Sequence, residues 1–179
     1  TDQSAGFFAS TAIVGNSVPI GLGLAMASKL DKTGNVTVVF IGDAVFETGV
    51  LYESLNISAT FDLPILFVCE NNLYSVYSPL SVRQPSGRKN FEVADKMGVS
   101  AEYVDGMNPK AVLTTFDNAV KKVREMSTPT LIELSAYRWR EHCGPNFDNH
   151  IGYRTVEEFE KWHKMDYLEK LKNSLLADK

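Results

Sequence analysis

The sequence predicts an α/β fold, a mostly parallel sheet with helices on both faces. Three observations predict it. Apolar, β-branched runs of strand length alternate with segments whose apolar residues recur at helical spacing. The strand runs lack polar alternation, as in parallel sheets covered on both sides. Polar clusters directly follow two of these runs, at the carboxyl ends where open α/β sheets bind ligands. At 179 residues, 44% of them hydrophobic, the chain is sized for one domain with its own core.

The elements follow in order. Val14 to Lys29 is apolar or small almost throughout, with Pro19 placed for a first turn, and predicts a buried helix. A turn at Lys32-Thr33-Gly34-Asn35 leads into Val36 to Ile41, the first strong strand. Phe46 to Phe61 spaces Val50, Leu51, Leu55 and Ile57 helically, and Leu63 to Cys69 forms the next apolar strand. A weaker unit follows: helix Phe91 to Met97, strand Ala101 to Val104, and a helix from Pro109 to Met126 with Asn108 as its N-cap. Thr130 to Ala136 is the last strand. Arg138 to Gly152 reads as an irregular polar loop, and Thr155-Val156-Glu157-Glu158 is a capping-box signature opening one charged helix to about Leu176.

Composition excludes several classes. The net charge of −4 is spread without a basic stripe, which argues against nucleic acid as a partner. Acidic or amide residues interrupt every apolar stretch before about 18 residues, and no signal-like segment opens the chain, so neither membrane nor export is expected. Cys69 and Cys143 form no metal-type or disulfide pattern and fit a reducing compartment.

The chemistry concentrates behind two strands. Gly42-Asp43 at a helix start supplies a tight turn, a carboxylate and free N–H groups, a combination suited to a phosphate with its metal counter-ion. Alone it is a weak signal, read more simply as a turn with an aspartate near a helix N-terminus. Glu70-Asn71-Asn72 ends the neighbouring strand, so Asp43, Asn72 and a backbone carbonyl are placed to share one hard octahedral cation, for which magnesium is the natural occupant. A structural Asn-Asn turn is the alternative.

These residues carry a resemblance. Gly42-Asp43-Ala44-Val45-Phe46-Glu47, followed by a helix, a strand and Glu70-Asn71-Asn72-Leu73-Tyr74, resembles the thiamine-diphosphate motif that opens Gly-Asp-Gly and closes Asn-Asn. Ala12-Ile13-Val14-Gly15, Val104-Asp105-Gly106-Met107, and Tyr137-Arg138-Trp139 through His142 to Tyr153-Arg154-Thr155 extend the resemblance to the alpha subunit of 2-oxo-acid dehydrogenases, over essentially the whole chain. The resemblance implies a diphosphate-binding-type domain over 1–179 that lacks an N-terminal segment, with 153–179 as a C-terminal helical extension. It implies that Asp43, Asn72 and the Tyr74 carbonyl hold magnesium, and that the Ala44 and Val45 amides meet the diphosphate. Ala12 to Val14 would flank the aminopyrimidine of thiamine diphosphate, Val76 would wedge beneath the bent cofactor, and His142 would stand at the active-site mouth in a catalytic position. The implied activity is decarboxylation of a 2-oxo acid with transfer of the acyl group to a lipoyl carrier. The implied partners are a beta chain in an alpha2-beta2 assembly, which supplies the activating glutamate, and a lipoyl acyltransferase. The implied location is the cytoplasm, or the mitochondrial matrix if an upstream segment is missing.

Departures from the family pattern keep two rivals open: transfer of a two-carbon unit to a ketone or aldehyde, and a non-catalytic scaffold. Ala44 replaces a glycine, Glu47 falls where the family often has Asn, Arg140 replaces a histidine, and Cys143 stands where a serine phosphorylated in some members would lie. Arg140 is a candidate contact for an anionic substrate. Cys143 lacks an orienting group and is a poor nucleophile candidate. His150, in the polar loop, is a weak candidate for a partner contact, and His163 reads as a surface residue.

Overall fold

The structure, a computed structural model, describes residues 1–177. Four parallel strands form the main sheet: β1 (Thr37–Gly42), β2 (Ile65–Asn71), β5 (Ser100–Asp105) and β6 (Thr130–Ser135), in the spatial order β1-β2-β6-β5. A hairpin of β3 (Tyr74–Ser75) and β4 (Ser78–Pro79) leads into the short helix α3 (Leu80–Arg83).

The two sheet faces are covered unequally. Alternate residues Val39, Ile41, Ile65, Phe67, Cys69 and Leu131 face α1 (Ser17–Leu30), α2 (Gly49–Thr60) and α4 (Asn90–Lys96), with which they form the larger core. The intervening residues Leu66, Val68, Ile132 and Leu134 pack against α5 (Pro109–Met126) through Ala119 and Val123. Helix α5 reaches only part of this face. On β1, the outermost strand, Val38 and Phe40 stay 40% and 57% exposed. On the covered side α1 lies so close that a Cβ at Gly21 would come within 2.2 Å of a Val39 methyl, so glycine sets this helix–sheet distance.

The α/β class, its parallel sheet and its helices on both faces agree with the sequence expectation, and three boundaries differ. Helix α1 begins at Ser17 rather than Val14, because Gly15 takes the left-handed conformation (φ +80°) and closes a turn ahead of the helix. The helix expected over Phe46 to Phe61 is preceded by a separate 3-10 turn, Asp43–Glu47, with extended Thr48 between turn and helix. The single C-terminal helix is two, α6 (Val156–His163) and α7 (Tyr167–Ala177), because the Asp166 carboxylate accepts from the Leu168 N–H at 3.0 Å and starts a new helix. Both expected N-cap bonds are present, Asn108 accepting from Ala111 N–H at 3.2 Å and Thr155 from Glu158 N–H at 3.1 Å, but the capping box is not closed, because the Glu158 carboxylate accepts from the Tyr74 hydroxyl instead.

Candidate active site

The site is assembled where β1 and β2 end. Gly42 is in register with Glu70, so Asp43 and the Asn71-Asn72 turn leave adjacent strands on the same edge of the sheet, where strand neighbours lie about 4.8 Å apart. Strand β3 packs beside the Asp43–Glu47 turn and brings Tyr74 to the same place. Three sequence-selected residues, Asp43, Asn72 and Tyr74, therefore converge.

Asp43 is only 2% exposed, and the guanidinium of Arg83 is paired with it. The other arm of the same guanidinium pairs with Glu47. Gln84 donates to the Asp43 carbonyl at 3.4 Å and to the Glu47 carboxylate at 3.3 Å. The α3 segment thus supplies a positive charge that offsets the cost of burying the Asp43 carboxylate. Ala44 and Val45 lie in the first turn behind Asp43, and Ala44 is not among the residues with positive φ, so its methyl is accommodated without backbone strain.

The Asn72 side-chain oxygen accepts from Tyr74 N–H at 3.0 Å, one of its two acceptor positions. The Leu80 N–H donates to Leu73 O at 2.8 Å, which makes Tyr74 and Pro79 a non-hydrogen-bonded pair and leaves the Tyr74 carbonyl outside the hairpin ladder. The turn is held in an unusual shape: Leu73 (φ +72°) and Val76 (φ +55°) both lie in the left-handed region, which β-branched residues rarely enter. Arg138 Nη2 donates to the Val76 carbonyl at 2.6 Å and fixes the hairpin tip.

The remaining sequence-selected residues lie on exposed backbone. Ala12 and Val14 form the turn before α1, and Gly15 seats that turn against Thr48 and Val50 at the start of α2. His142 is exposed in the loop after β6, beside exposed Cys143, and makes no hydrogen bond or ion pair among the described residues. Arg140 stacks on Phe147, 3.8 Å from the ring centre. The loop is pinned by buried Arg154, which pairs with Asp148 at 2.7 Å and donates to the carbonyls of Arg138 and Trp139.

Comparison with known proteins decides the family. A sequence profile described as "Dehydrogenase E1 component" matches residues 1–179. The chain belongs to the dehydrogenase E1 component family. Within it, the chain is 32% identical over 173 residues to the pyruvate dehydrogenase E1 component subunit alpha of Rickettsia felis, covering 97% of this chain and 52% of that protein. It is 33% identical to the like-named protein of Rhizobium meliloti (97% and 49%) and 32% identical to the mitochondrial one of Dictyostelium discoideum (97% and 45%). The chain thus spans about half the length of these curated relatives. A solved structure from Mycobacterium smegmatis, assigned as a thiamin diphosphate-dependent enzyme, superposes with a TM-score of 0.57 at 20% identity, over 70% of this chain and 23% of that one, a likeness of fold. Among the described residues no helix is long and apolar enough to cross a membrane.

Sequence reading missed several residues in and around this candidate site. Arg83 and Gln84 lie in a segment without periodicity, where nothing local tells which basic residue folds back. Glu133 carried a usable signal, a single carboxylate inside the apolar strand Thr130–Ser135.

Proposed function

We propose that this chain is the diphosphate- and magnesium-binding part of the alpha subunit of a thiamine-diphosphate-dependent 2-oxo-acid dehydrogenase. With a beta chain it decarboxylates a 2-oxo acid and hands the acyl group to a lipoyl carrier on an acyltransferase. The observation that carries this reading is the placement of buried Asp43 and of Asn72 at the in-register ends of β1 and β2. Family membership supports the reaction class.

The residues fit the cofactor. A carboxylate, an amide oxygen and a backbone carbonyl are hard oxygen donors of the kind magnesium takes, and Asp43 already faces a cationic group, the Arg83 guanidinium. When bound, thiamine diphosphate supplies the carbanion-stabilising chemistry that amino-acid side chains lack. This chain's residues bind and orient it. Asp43, Asn72 and the Tyr74 carbonyl would hold a magnesium ion, whose charge would offset that of the diphosphate. The amides of Ala44 and Val45, at the start of the 3-10 turn, would donate to the phosphate oxygens. Ala12 and Val14 would offer backbone groups to the aminopyrimidine, and the exposed Val76 side chain would give the cofactor an apolar contact. His142, exposed and without a hydrogen bond or ion pair among the described residues, would be the catalytic group at the mouth, where it could hydrogen-bond the diphosphate or substrate.

Calorimetric titration of thiamine diphosphate into the full chain with its beta-type partner, with and without magnesium, tests the reading. Binding is expected only with magnesium and is expected to be lost in Asp43→Ala. Unchanged affinity in that variant would reject the metal site.

A further inference from the structure

Glu133 is an expensive residue to keep where it is. It lies on β6 between Ile132 and Leu134, 3% exposed, and no basic side chain pairs with it among the described residues. An ionised carboxylate is costly in such a place unless hydrogen bonds replace its water. Two do. The Asn71 side-chain N–H donates to Glu133 Oε1 at 2.7 Å, and the Phe91 backbone N–H, in the first turn of α4, donates to Oε2 at 2.9 Å.

The first of these bonds is the start of a chain of bonds that ends at the proposed cation. With its N–H held by Glu133, the Asn71 amide turns its oxygen towards Leu73 N–H, which donates at 3.1 Å. That bond holds Leu73 at φ +72°, and the turn so formed presents the Asn72 oxygen and the Tyr74 carbonyl outward. We propose that Glu133 is a positioning residue: through Asn71 it fixes the turn that offers Asn72 and Tyr74 to the divalent cation, and through Phe91 it ties that turn to α4. This rests on the reading of Asp43, Asn72 and Tyr74 as the metal site. It assigns to a residue that touches neither metal nor cofactor a share of the metal affinity.

The hydrogen-bond directions supply the test. In Glu133→Gln two N–H donors face a side chain with one acceptor, so one of them meets an amide N–H and the turn is released. Groups that orient metal ligands in this way are worth about 10- to 100-fold in metal affinity, and a loss of this size in magnesium affinity is expected. The double variant Asn71→Asp with Glu133→Gln reverses the pair. The amide now on β6 donates to the carboxylate now ending β2 and accepts from Phe91 N–H, while that carboxylate keeps an oxygen for Leu73 N–H. Charge and bond count are conserved, so affinity is expected to return.

Magnesium would be titrated calorimetrically into the full chain with its beta-type partner at saturating thiamine diphosphate, for wild type, Glu133→Gln and the double variant, with urea midpoints recorded for each. Weakened binding in Glu133→Gln that the double variant restores supports the proposal, as does restoration by the double variant where the single variant does not fold. Wild-type affinity in Glu133→Gln, or a folded double variant as weak as the single one, overturns it and leaves the metal site standing. No magnesium binding by wild type overturns both.

Discussion

The guanidinium of Arg83 is paired with the buried carboxylate of Asp43, the residue that the proposed magnesium ion needs. One cation therefore has to give way to the other, and Glu47, on the second arm of the same guanidinium, keeps Arg83 partnered when it does. Glu47, which departs from the family pattern, and Arg83 form a matched pair. In Arg83→Ala the metal-free chain is expected to lose about 3 kcal/mol, since Asp43 is left buried and unpaired. Magnesium then restores more than it does in wild type. Calorimetric melting with and without magnesium should give a larger metal-induced rise in Tm for the variant; equal rises would show that Arg83 and the metal do not compete.

Arg154 and Asp148 form a fully buried ion pair, and Arg154 also lies over the rings of Tyr137 and Phe159. Removing one partner of such a pair leaves a lone buried charge. Arg154→Ala is expected to cost about 3–5 kcal/mol, read as a lower urea midpoint, and to free the loop that carries His142.

Val76 is strained and exposed together. A β-branched residue at φ +55° costs about 1–3 kcal/mol, and glycine relieves it. Val76→Gly is expected to raise stability by about 1 kcal/mol after the entropy glycine adds to the unfolded chain, while weakening thiamine diphosphate binding several-fold. A variant that gains stability with unchanged cofactor affinity would remove Val76 from the cofactor site.

Burial pushes the Tyr137 phenol up to about 12 from 10.0, although Arg154 pulls the other way. Burial, aided by the hydrogen bond to Glu158, raises Tyr74 further. Because folding raises both values, the unfolded chain releases these protons first. The stabilisation they reflect is complete below about pH 10 and is lost as pH climbs through 12. Urea midpoints should hold up to about pH 10 and fall steeply above it, with tyrosinate absorbance appearing alongside unfolding.

Much of this was legible in the sequence because the informative residues act locally. The β-branched run ending in Gly42-Asp43 and the one ending in Asn71-Asn72 specify two buried parallel strands and, by their ends, a common edge. Asn108 and Thr155 announce their helices through bonds made within three residues. What stayed hidden depends on distant partners. Arg83 meets Asp43 across 40 positions, and Asn71 meets Glu133 across 62, so no pattern of spacing encodes either pairing. The break between α6 and α7 was missed for the opposite reason: a helical charge pattern runs through Asp166, and only the bond it makes to Leu168 shows where one helix stops.

Among the described residues strand β1 has a neighbour on one side only, and Val38 and Phe40 are exposed. Its amide hydrogens are expected to exchange with deuterium sooner than those of β2 and β6, which are flanked on both sides. Asp43 hangs from the fast-exchanging strand and Asn72 from a slow one. A partial opening that peels β1 away would dismantle the cation site while the rest of the sheet stays intact, so loss of ligand capture on warming is expected at a lower temperature than loss of helical circular dichroism.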